Sequence, residues 1–544
     1  MSEKRPILEV KNLTLGLKKQ TLEVVKDISF KIMPGETVAL LGESGAGKST
    51  LFKAILQLLK NSDWQGQGSI QIDGREVMGL HPKELESLRG QLVRCILQEP
   101  ALVLNPSLKV DRQLAEAILV TEPGIEPAVV DARMHETLRL SGLDPQLVLG
   151  RFPGDLSGGQ RQRVGVAMSL CAASPLLLAD EPSNSLDSVT VYELVQTLLK
   201  LKDTGHIGAL LIVTHDLGVL KALNCQRVLF MDDGHLYEAG SIQNVVANPV
   251  HPKLAEIVSL MNVIDQLERQ TPHDADHEAP LVDGRGLNFG YRTRSFLKRG
   301  KTQALHSVDF QLAKNEFVAL VGNSGSGKST LGKLVTRELM EFEGSLSFNG
   351  KELGPKERPT SEFRRQVQTI FQEPADTFDP SLTMGENMAE SFSAMGVTNL
   401  ELEGIFDELL DQLLLDRRML GELPGNLSGG QKQRFALMRA FGSHPKLLLA
   451  DEPFNNLDLI AQQRLIELLL TRKADQQSPL SCILISHDIG VVSKLCERVF
   501  VVSRGRIVES GPVEQVIQDP THEATKRLIQ AARALGSIES NTGL

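Results

Sequence analysis

The sequence predicts an α/β chain built twice, as two homologous domains that each join a phosphate-loop core with a mostly parallel sheet to a helical subdomain. Three observations carry this. A nine-residue glycine-rich segment at 42–50 returns at 322–330. Four shorter motifs return with it in the same order: Gln-Glu-Pro at 98 and 372, Leu-Ser-Gly-Gly-Gln at 156 and 427, Ala-Asp-Glu-Pro at 179 and 450, and His-Asp at 215 and 487. Their spacing is kept as well, since Ser157 to Glu181 and Ser428 to Glu452 are both 24 residues, and the histidines follow 34 and 35 residues later. Two copies of one domain explain this repetition most economically.

Length and composition agree with that reading. The 544 residues, at about 150–250 per domain, suggest two to four domains. Apolar residues at 41% and charged residues at 23% allow packed cores and exclude a largely disordered or fibrous chain. A net charge of −10 and a pI near 5.7 give no broad basic footprint for nucleic acid. One Trp, three Tyr and 19 Phe leave few rings for stacking on single strands. The five cysteines (Cys95, Cys171, Cys225, Cys482, Cys496) are odd in number and widely spaced, which indicates neither a disulfide framework nor a zinc ribbon. Met-Ser-Glu-Lys-Arg-Pro leads into strand-like alternation without the apolar stretch of a secretory leader, and no apolar run approaches 18 residues. A cytosolic chain with at most a peripheral membrane role is expected.

Taken along the chain, residues 36–41 and 316–321 read as short buried strands that end at the glycine-rich turn, with helices from Ser49 and Ser329 onward. Residues 98–157 and 372–428 read as mainly helical, the inserted subdomain. Residues 176–179 and 447–450 are apolar runs ending in acids, and 209–213 and 483–485 end just before a histidine; all suit interior strands of a parallel sheet. Residues 266–281 are polar, with two prolines and no apolar period, and fit a linker. The expected boundaries are a first domain over 1–250, its extension over 251–265, the linker, a second domain over 282–518 and an extension over 519–544.

The Gly-x4-Gly-Lys-Ser spacing has a mechanical meaning. Its glycines let backbone N–H groups curl around phosphates, its lysine adds positive charge, its serine ligates magnesium, and the helix that follows favours an anion at its start. The first loop comprises Gly42, Glu43, Ser44, Gly45, Ala46, Gly47, Lys48, Ser49 and Thr50. The second comprises Gly322, Asn323, Ser324, Gly325, Ser326, Gly327, Lys328, Ser329 and Thr330. Asp180 and Asp451, at strand ends, suit the magnesium shell, and Glu181 and Glu452 beside them suit orientation of the attacking water. His215 and His487 suit a hydrogen bond to the γ-phosphate. His273 and His277, with acids between them, form a weaker metal candidate for which a solvated linker face is the simpler reading.

These motifs resemble the ATP-binding cassette ATPases over nearly all of both halves, and Leu-Ser-Gly-Gly-Gln is the element that other phosphate-loop ATPases lack. The resemblance implies that Ser157, Gly158, Gly159 and Gln160, and Ser428, Gly429, Gly430 and Gln431, sit at helix N-termini and contact the γ-phosphate bound by the opposite half. The chain would then form a head-to-tail pseudo-dimer with itself, one ATP between Lys48 and Ser428 and the other between Lys328 and Ser157. Gln98 and Gln372 match the family's magnesium-sensing glutamine, and Asp187 and Asp458 its interdomain aspartate. Ser183-Asn184-Ser185 and Phe454-Asn455-Asn456 replace the commoner Thr-Ser-Ala. The family's adenine-stacking ring is matched by Tyr291 in the second half, whereas Leu17 holds that place in the first, where Phe30 is the nearest ring and reads as core. The Lys48 site is therefore expected to bind nucleotide up to about 100-fold more weakly.

A narrower resemblance rests on Gln98-Glu99-Pro100 with Leu104-Asn105-Pro106, on Gln372-Glu373-Pro374 with Phe378-Asp379-Pro380, and on His251-Pro252-Lys253 and Asp519-Pro520-Thr521-His522. These are similar to segments of bacterial importers of peptides, glutathione, nickel and metal-loaded opine chelators. The resemblance implies ATP and Mg²⁺ as cofactors, two transmembrane permeases and a periplasmic or lipid-anchored solute-binding protein as partners, no nucleic acid, and a peripheral place on the cytoplasmic face of the inner membrane. A soluble tandem cassette acting on ribosomes or DNA stays open at this point, although the break between the halves is short and acidic rather than a long charged helix.

Overall fold

A computed structural model of the chain describes residues 5–538 apart from 19–22, 43–44, 60–62, 98–102, 123, 157, 184–185, 215, 262–266, 268–278, 295–298, 372–376, 455–456, 458 and 476–478. The chain divides into two compact units, 1–258 and, in the main, 259–533. Of the linker expected at 266–281, residues 266 and 268–278, His273 and His277 among them, lie outside the described residues, and its last residue, Leu281, is buried in the core of the second unit.

In the first unit the strands are β1 (Leu8–Leu17), β2 (Glu23–Ile32), β3 (Thr37–Leu41), β4 (Trp64–Ile72), β5 (Arg75–Glu76), β6 (Val93–Ile96), β7 (Ser174–Asp180), β8 (Ile207–Val213), β9 (Arg227–Asp232) and β10 (His235–Gly240). The second unit repeats them as β11 (Val282–Arg294), β12 (Arg299–Leu312), β13 (Phe317–Val321), β14 (Glu343–Phe348), β15 (Lys351–Glu352), β16 (Val367–Ile370), β17 (Leu447–Asp451), β18 (Ser481–Ile485), β19 (Arg498–Ser503) and β20 (Arg506–Pro512). One six-stranded sheet per unit runs β6-β7-β8-β3-β9-β10 and, identically, β16-β17-β18-β13-β19-β20. All neighbours in it are parallel except the last pair. Its inner strands are nearly solid runs of Val, Leu and Ile; every residue of β3, β13, β17 and β18 is buried, as a sheet covered on both faces requires.

Each unit also holds a four-stranded antiparallel sheet, β2-β1-β4-β5 or β12-β11-β14-β15, which the sequence reading did not foresee. In the first unit both sheets share one core: Leu8, Val10 and Ile70 from the antiparallel sheet pack with Val38, Leu40, Leu176 and Leu211 from the parallel one, and Leu51 and Ile55 of helix Lys48–Ile55 pack into the same cluster. The helix behind the glycine-rich turn is thus fixed by its apolar face.

Helices fall within the segments expected to be helical, Val110–Thr121 and Pro127–Leu140 in the first unit and Met384–Ala394 and Asn399–Gln412 in the second, and a further helix starts just beyond each segment, at Gly158–Leu170 and Gly429–Phe441. The first set has a separate core of Leu104, Leu114, Ile118, Met134, Leu138, Leu156 and Val164. The extension after the first domain forms helix Pro252–Met261, anchored by His251, whose ring lies 5.1 Å from Phe230 and 4.7 Å from Tyr237, centre to centre. No helix among the described residues is long and apolar enough to cross a membrane.

Candidate active site

Parallel strands that end at a common edge deliver their last residues to one place. In the first unit Leu40 of β3 is level with Val213 of β8, and Asp180 of β7 is level with Val213 from the other side. In the second, Leu320 and Asp451 both flank Ile485. The phosphate loop, the Asp-Glu pair and the His-Asp segment therefore meet at the carboxyl edge, where open α/β sheets bind ligands.

The loop is shaped by glycines that nothing else can replace. At Gly322, with φ of 144°, a Cβ would lie 2.1 Å from the carbonyl oxygen of Val502; at Gly42, with φ of 152°, it would lie 2.2 Å from that of Met231. Lys328 is only 8% exposed, and its ammonium donates to the carbonyls of Gly322 at 2.7 Å and Asn323 at 3.0 Å. Lys48 likewise donates to the Gly42 carbonyl at 2.6 Å. Both cations are held inside the curl of the loop. Glu43 and Ser44 lie outside the described residues.

Ser329 Oγ, on the first turn of helix Lys328–Val335, donates to Asp451 Oδ1 at 3.2 Å. A hydroxyl and a carboxylate brought together are hard oxygen donors of the kind magnesium takes when phosphates supply the rest of its shell, so these residues fit that ion. Burial, opposed by the Ser329 hydrogen bond and reinforced by Glu452, pushes the Asp451 carboxyl above the usual carboxylate range; burial and Glu181 do the same to Asp180, against Lys48 and Lys53. A raised folded-state pKa means that the charged form costs stability at neutral pH, a cost that vanishes as pH falls through that pKa. Asp451→Asn, which keeps the Ser329 acceptor, is therefore expected to raise the melting temperature of the magnesium-free protein at pH 7.5 by roughly 2 °C while removing magnesium-dependent turnover at that site. A lowered melting temperature by calorimetry would contradict the assignment.

Glu181 and Glu452 carry an unusual backbone. Both have positive φ, 45° and 50°, a strained region for a residue with a side chain. Both are held there by the same bond: the Glu181 N–H donates to Val213 O at 2.8 Å and the Glu452 N–H to Ile485 O at 3.0 Å. Glu452 Oε2 lies 2.8 Å from His487 Nδ1, so the structure brings together the two residues that the sequence assigns to the water and the γ-phosphate. Its counterpart His215 lies outside the described residues, as do Gln98 and Gln372.

The signature segment is built differently from the phosphate loop. Ser428 caps helix Gly429–Phe441: its Oγ accepts from the Gln431 N–H at 3.3 Å, and Gln431 Oε1 accepts from the Ser428 N–H at 2.9 Å, a capping box. A Cβ added at Gly429, or at Gly159 in the first unit, would meet nothing within 4 Å. Packing within the unit does not require glycine at either position. Ser157 lies outside the described residues, as does Asp458; Asp187 caps helix Ser188–Asp203 by accepting from the Thr190 N–H.

Tyr291 stands 45% exposed over the second loop, its hydroxyl 3.2 Å from Thr330 Oγ1 and its ring edge-on to Phe289. Leu17 has no ring of its own, but the β1/β4 ladder sets it opposite Trp64. That corrects the expectation that Phe30 is the nearest aromatic. The pairing joins residues far apart in sequence, and the only local signal for it was that Trp64 is the chain's sole tryptophan.

Comparison with known proteins agrees with this geometry. The family model described as ABC transporter matches residues 25–184 and 305–455. The chain is 32% identical to the peptidoglycan transport ATP-binding protein YejF of Agrobacterium fabrum, over 98% of each chain. It is 34% identical to the glutathione import ATP-binding protein GsiA of Escherichia coli O6:H1, over 96% of this chain and 89% of that one. Two cassettes, each with its own phosphate loop, Asp-Glu pair and signature helix, place the chain in the ABC transporter family as a tandem ATP-binding subunit and an ATPase.

Proposed function

We propose that the chain is the ATP-hydrolysing subunit of an importer for peptides or related small solutes, peripheral on the cytoplasmic face of the membrane and docked to two permeases that a solute-binding protein serves. The observation that carries this is similarity over 96–98% of the chain, across both cassettes, to two importer ATP-binding proteins. Glutathione is itself a tripeptide, which favours a peptide-type cargo over nickel or a metal-opine chelate.

In this reading Lys48 and Lys328 hold the β- and γ-phosphates inside their loops. Ser49 with Asp180, and Ser329 with Asp451, would hold magnesium, which when bound neutralises phosphate charge. Gln98 and Gln372 complete that shell. Glu181 and Glu452 orient the attacking water, with His215 and His487 at the γ-phosphate. Ser157-Gly158-Gly159-Gln160 and Ser428-Gly429-Gly430-Gln431 are assigned to recognition of a γ-phosphate; the open space at Gly159 and Gly429 supports a ligand coming close to them.

The test is stimulation. The chain reconstituted in vesicles with a permease pair is expected to hydrolyse ATP several-fold faster when a peptide-loaded binding protein is added outside. Stimulation by ribosomes or DNA, and none by permeases, would replace the importer with a soluble cassette.

A further inference from the structure

A buried amide recurs in both units at the turn that follows the magnesium glutamine. Gln113, 5% exposed on helix Val110–Thr121, spends its whole carboxamide on the turn 105–108: Oε1 accepts from the Asn105 N–H at 2.8 Å, and Nε2 donates to Asn105 O at 3.0 Å and Leu108 O at 2.9 Å. Asn387, 6% exposed on helix Met384–Ala394, does the same for the turn 379–382. Its Oδ1 accepts from the Asp379 N–H at 2.8 Å, and its Nδ2 donates to Asp379 O and Leu382 O, both at 3.1 Å, and to Thr383 O at 3.0 Å. The two side chains differ in length, yet the pattern of one N–H accepted and two turn carbonyls satisfied is the same. Only a carboxamide offers that combination; a carboxylate would face two carbonyl oxygens, and an alkyl group would leave the Asn105 or Asp379 N–H and the Leu108 or Leu382 carbonyl without that partner, while the Asn105 and Asp379 carbonyls would keep only the turn bonds from the Leu108 and Leu382 N–H.

The first residue of the same helix makes a second repeated bond. The Val110 N–H donates to Arg151 O at 2.9 Å, and the Met384 N–H to Glu422 O at 2.9 Å. Arg151 and Glu422 each stand six residues before the signature serine. Apolar packing follows the same route in the first unit, where Leu104, just before the turn, and Leu156, next to Ser157, belong to one cluster with Val110 and Leu114. The turn, the helix start and the approach to the signature are thereby joined into one piece within each unit.

We propose that Gln113 and Asn387 are positioning residues for turnover: each locks the turn beyond the magnesium glutamine to the helix that carries the approach to the signature serine, so that the two respond to nucleotide together. This rests on the roles given above to Gln98, Gln372, Ser157 and Ser428. Both carboxamides are engaged by turn backbone and stand outside the phosphate loops, so their effect falls on the step that needs the signature in place and not on capture of ATP by the phosphate loop of the same half.

The test uses the full chain and MgATP. Gln113→Leu with Asn387→Leu is expected to lower kcat at least tenfold with KM changed less than threefold. Val110→Pro with Met384→Pro breaks the other bond and leaves the amides intact; proline is accepted at the first helical position, and Lys109 and Thr383 already have the extended backbone that a following proline wants, so the same split is expected. Unchanged kcat in the proline variant would overturn the link to the signature, and a raised KM with kcat kept in either variant would overturn the positioning role. Should the leucine variant melt below the assay temperature, the proline variant decides alone. Ser157→Ala with Ser428→Ala is the control: if turnover survives it, the reading of the signature fails whatever the amides do.

Discussion

Replacing Glu181 and Glu452 together by glutamine is expected to cut ATP turnover by about 1,000-fold while ATP affinity stays within about threefold, because glutamine keeps the shape and loses the carboxylate proposed to orient water. The geometry makes this a clean substitution. Each glutamate is held by its backbone N–H on the neighbouring strand, at Val213 O or Ile485 O, so the side chain can change without releasing the left-handed turn. In the second unit the amide can still meet His487 Nδ1, the ring tautomer adjusting to whichever group is presented. Single-turnover measurement with radiolabelled ATP, beside equilibrium binding, checks both halves of the expectation. Undiminished hydrolysis in the double variant would remove both residues from the reaction.

Lys328→Ala is expected to weaken nucleotide binding in the second cassette by roughly 100-fold. The ammonium there is bonded to two loop carbonyls and nearly closed off from solvent, so its removal deletes a charge that phosphate would meet and leaves Gly322 O and Asn323 O without that donor. Hydrogen bonds to charged groups are worth about 1.5–3 kcal/mol each, and about 3 kcal/mol corresponds to that loss. Calorimetric titration with ATP on the glutamine double variant, which does not consume its ligand, should show one class of sites lost and the Lys48 class retained. Two classes of unaltered affinity would show that this lysine is structural only.

Legibility in the sequence followed locality. β3, β7, β8 and their counterparts could be read because strands buried on both faces are short unbroken apolar runs, and each of them ends at a motif. The antiparallel sheets could not. β4 reads Trp-Gln-Gly-Gln-Gly-Ser-Ile-Gln-Ile, polar and exposed over much of its length, and it is a strand because its glycines let β1 come close: a Cβ at Gly68 would lie 2.5 Å from Asn12 O. Such a requirement belongs to the pair of strands: β1 alternates in the sequence, but β4 carries no period that would name it as its partner. Gln113 and Asn387 were missed because their residue types differ, although both stand 274 apart, the same offset as Gln98 and Gln372 and as Asn105 and Asp379. An offset kept from the glutamine through the turn to the helix was the available signal.

The left-handed backbone at Glu181 and Glu452 also bears on how such a cassette would age. Keeping a glutamate there costs about 1–3 kcal/mol per site, a burden offset locally by the bonds from the Glu181 and Glu452 N–H to Val213 O and Ile485 O. Once a lineage needs one of its two cassettes to bind ATP without splitting it, that burden becomes free to be shed, and glycine, asparagine and aspartate are the residues that shed it at least steric cost. Drift at this single codon would therefore run toward those three residues and away from valine, isoleucine and threonine. This chain carries glutamate at that left-handed position in both halves.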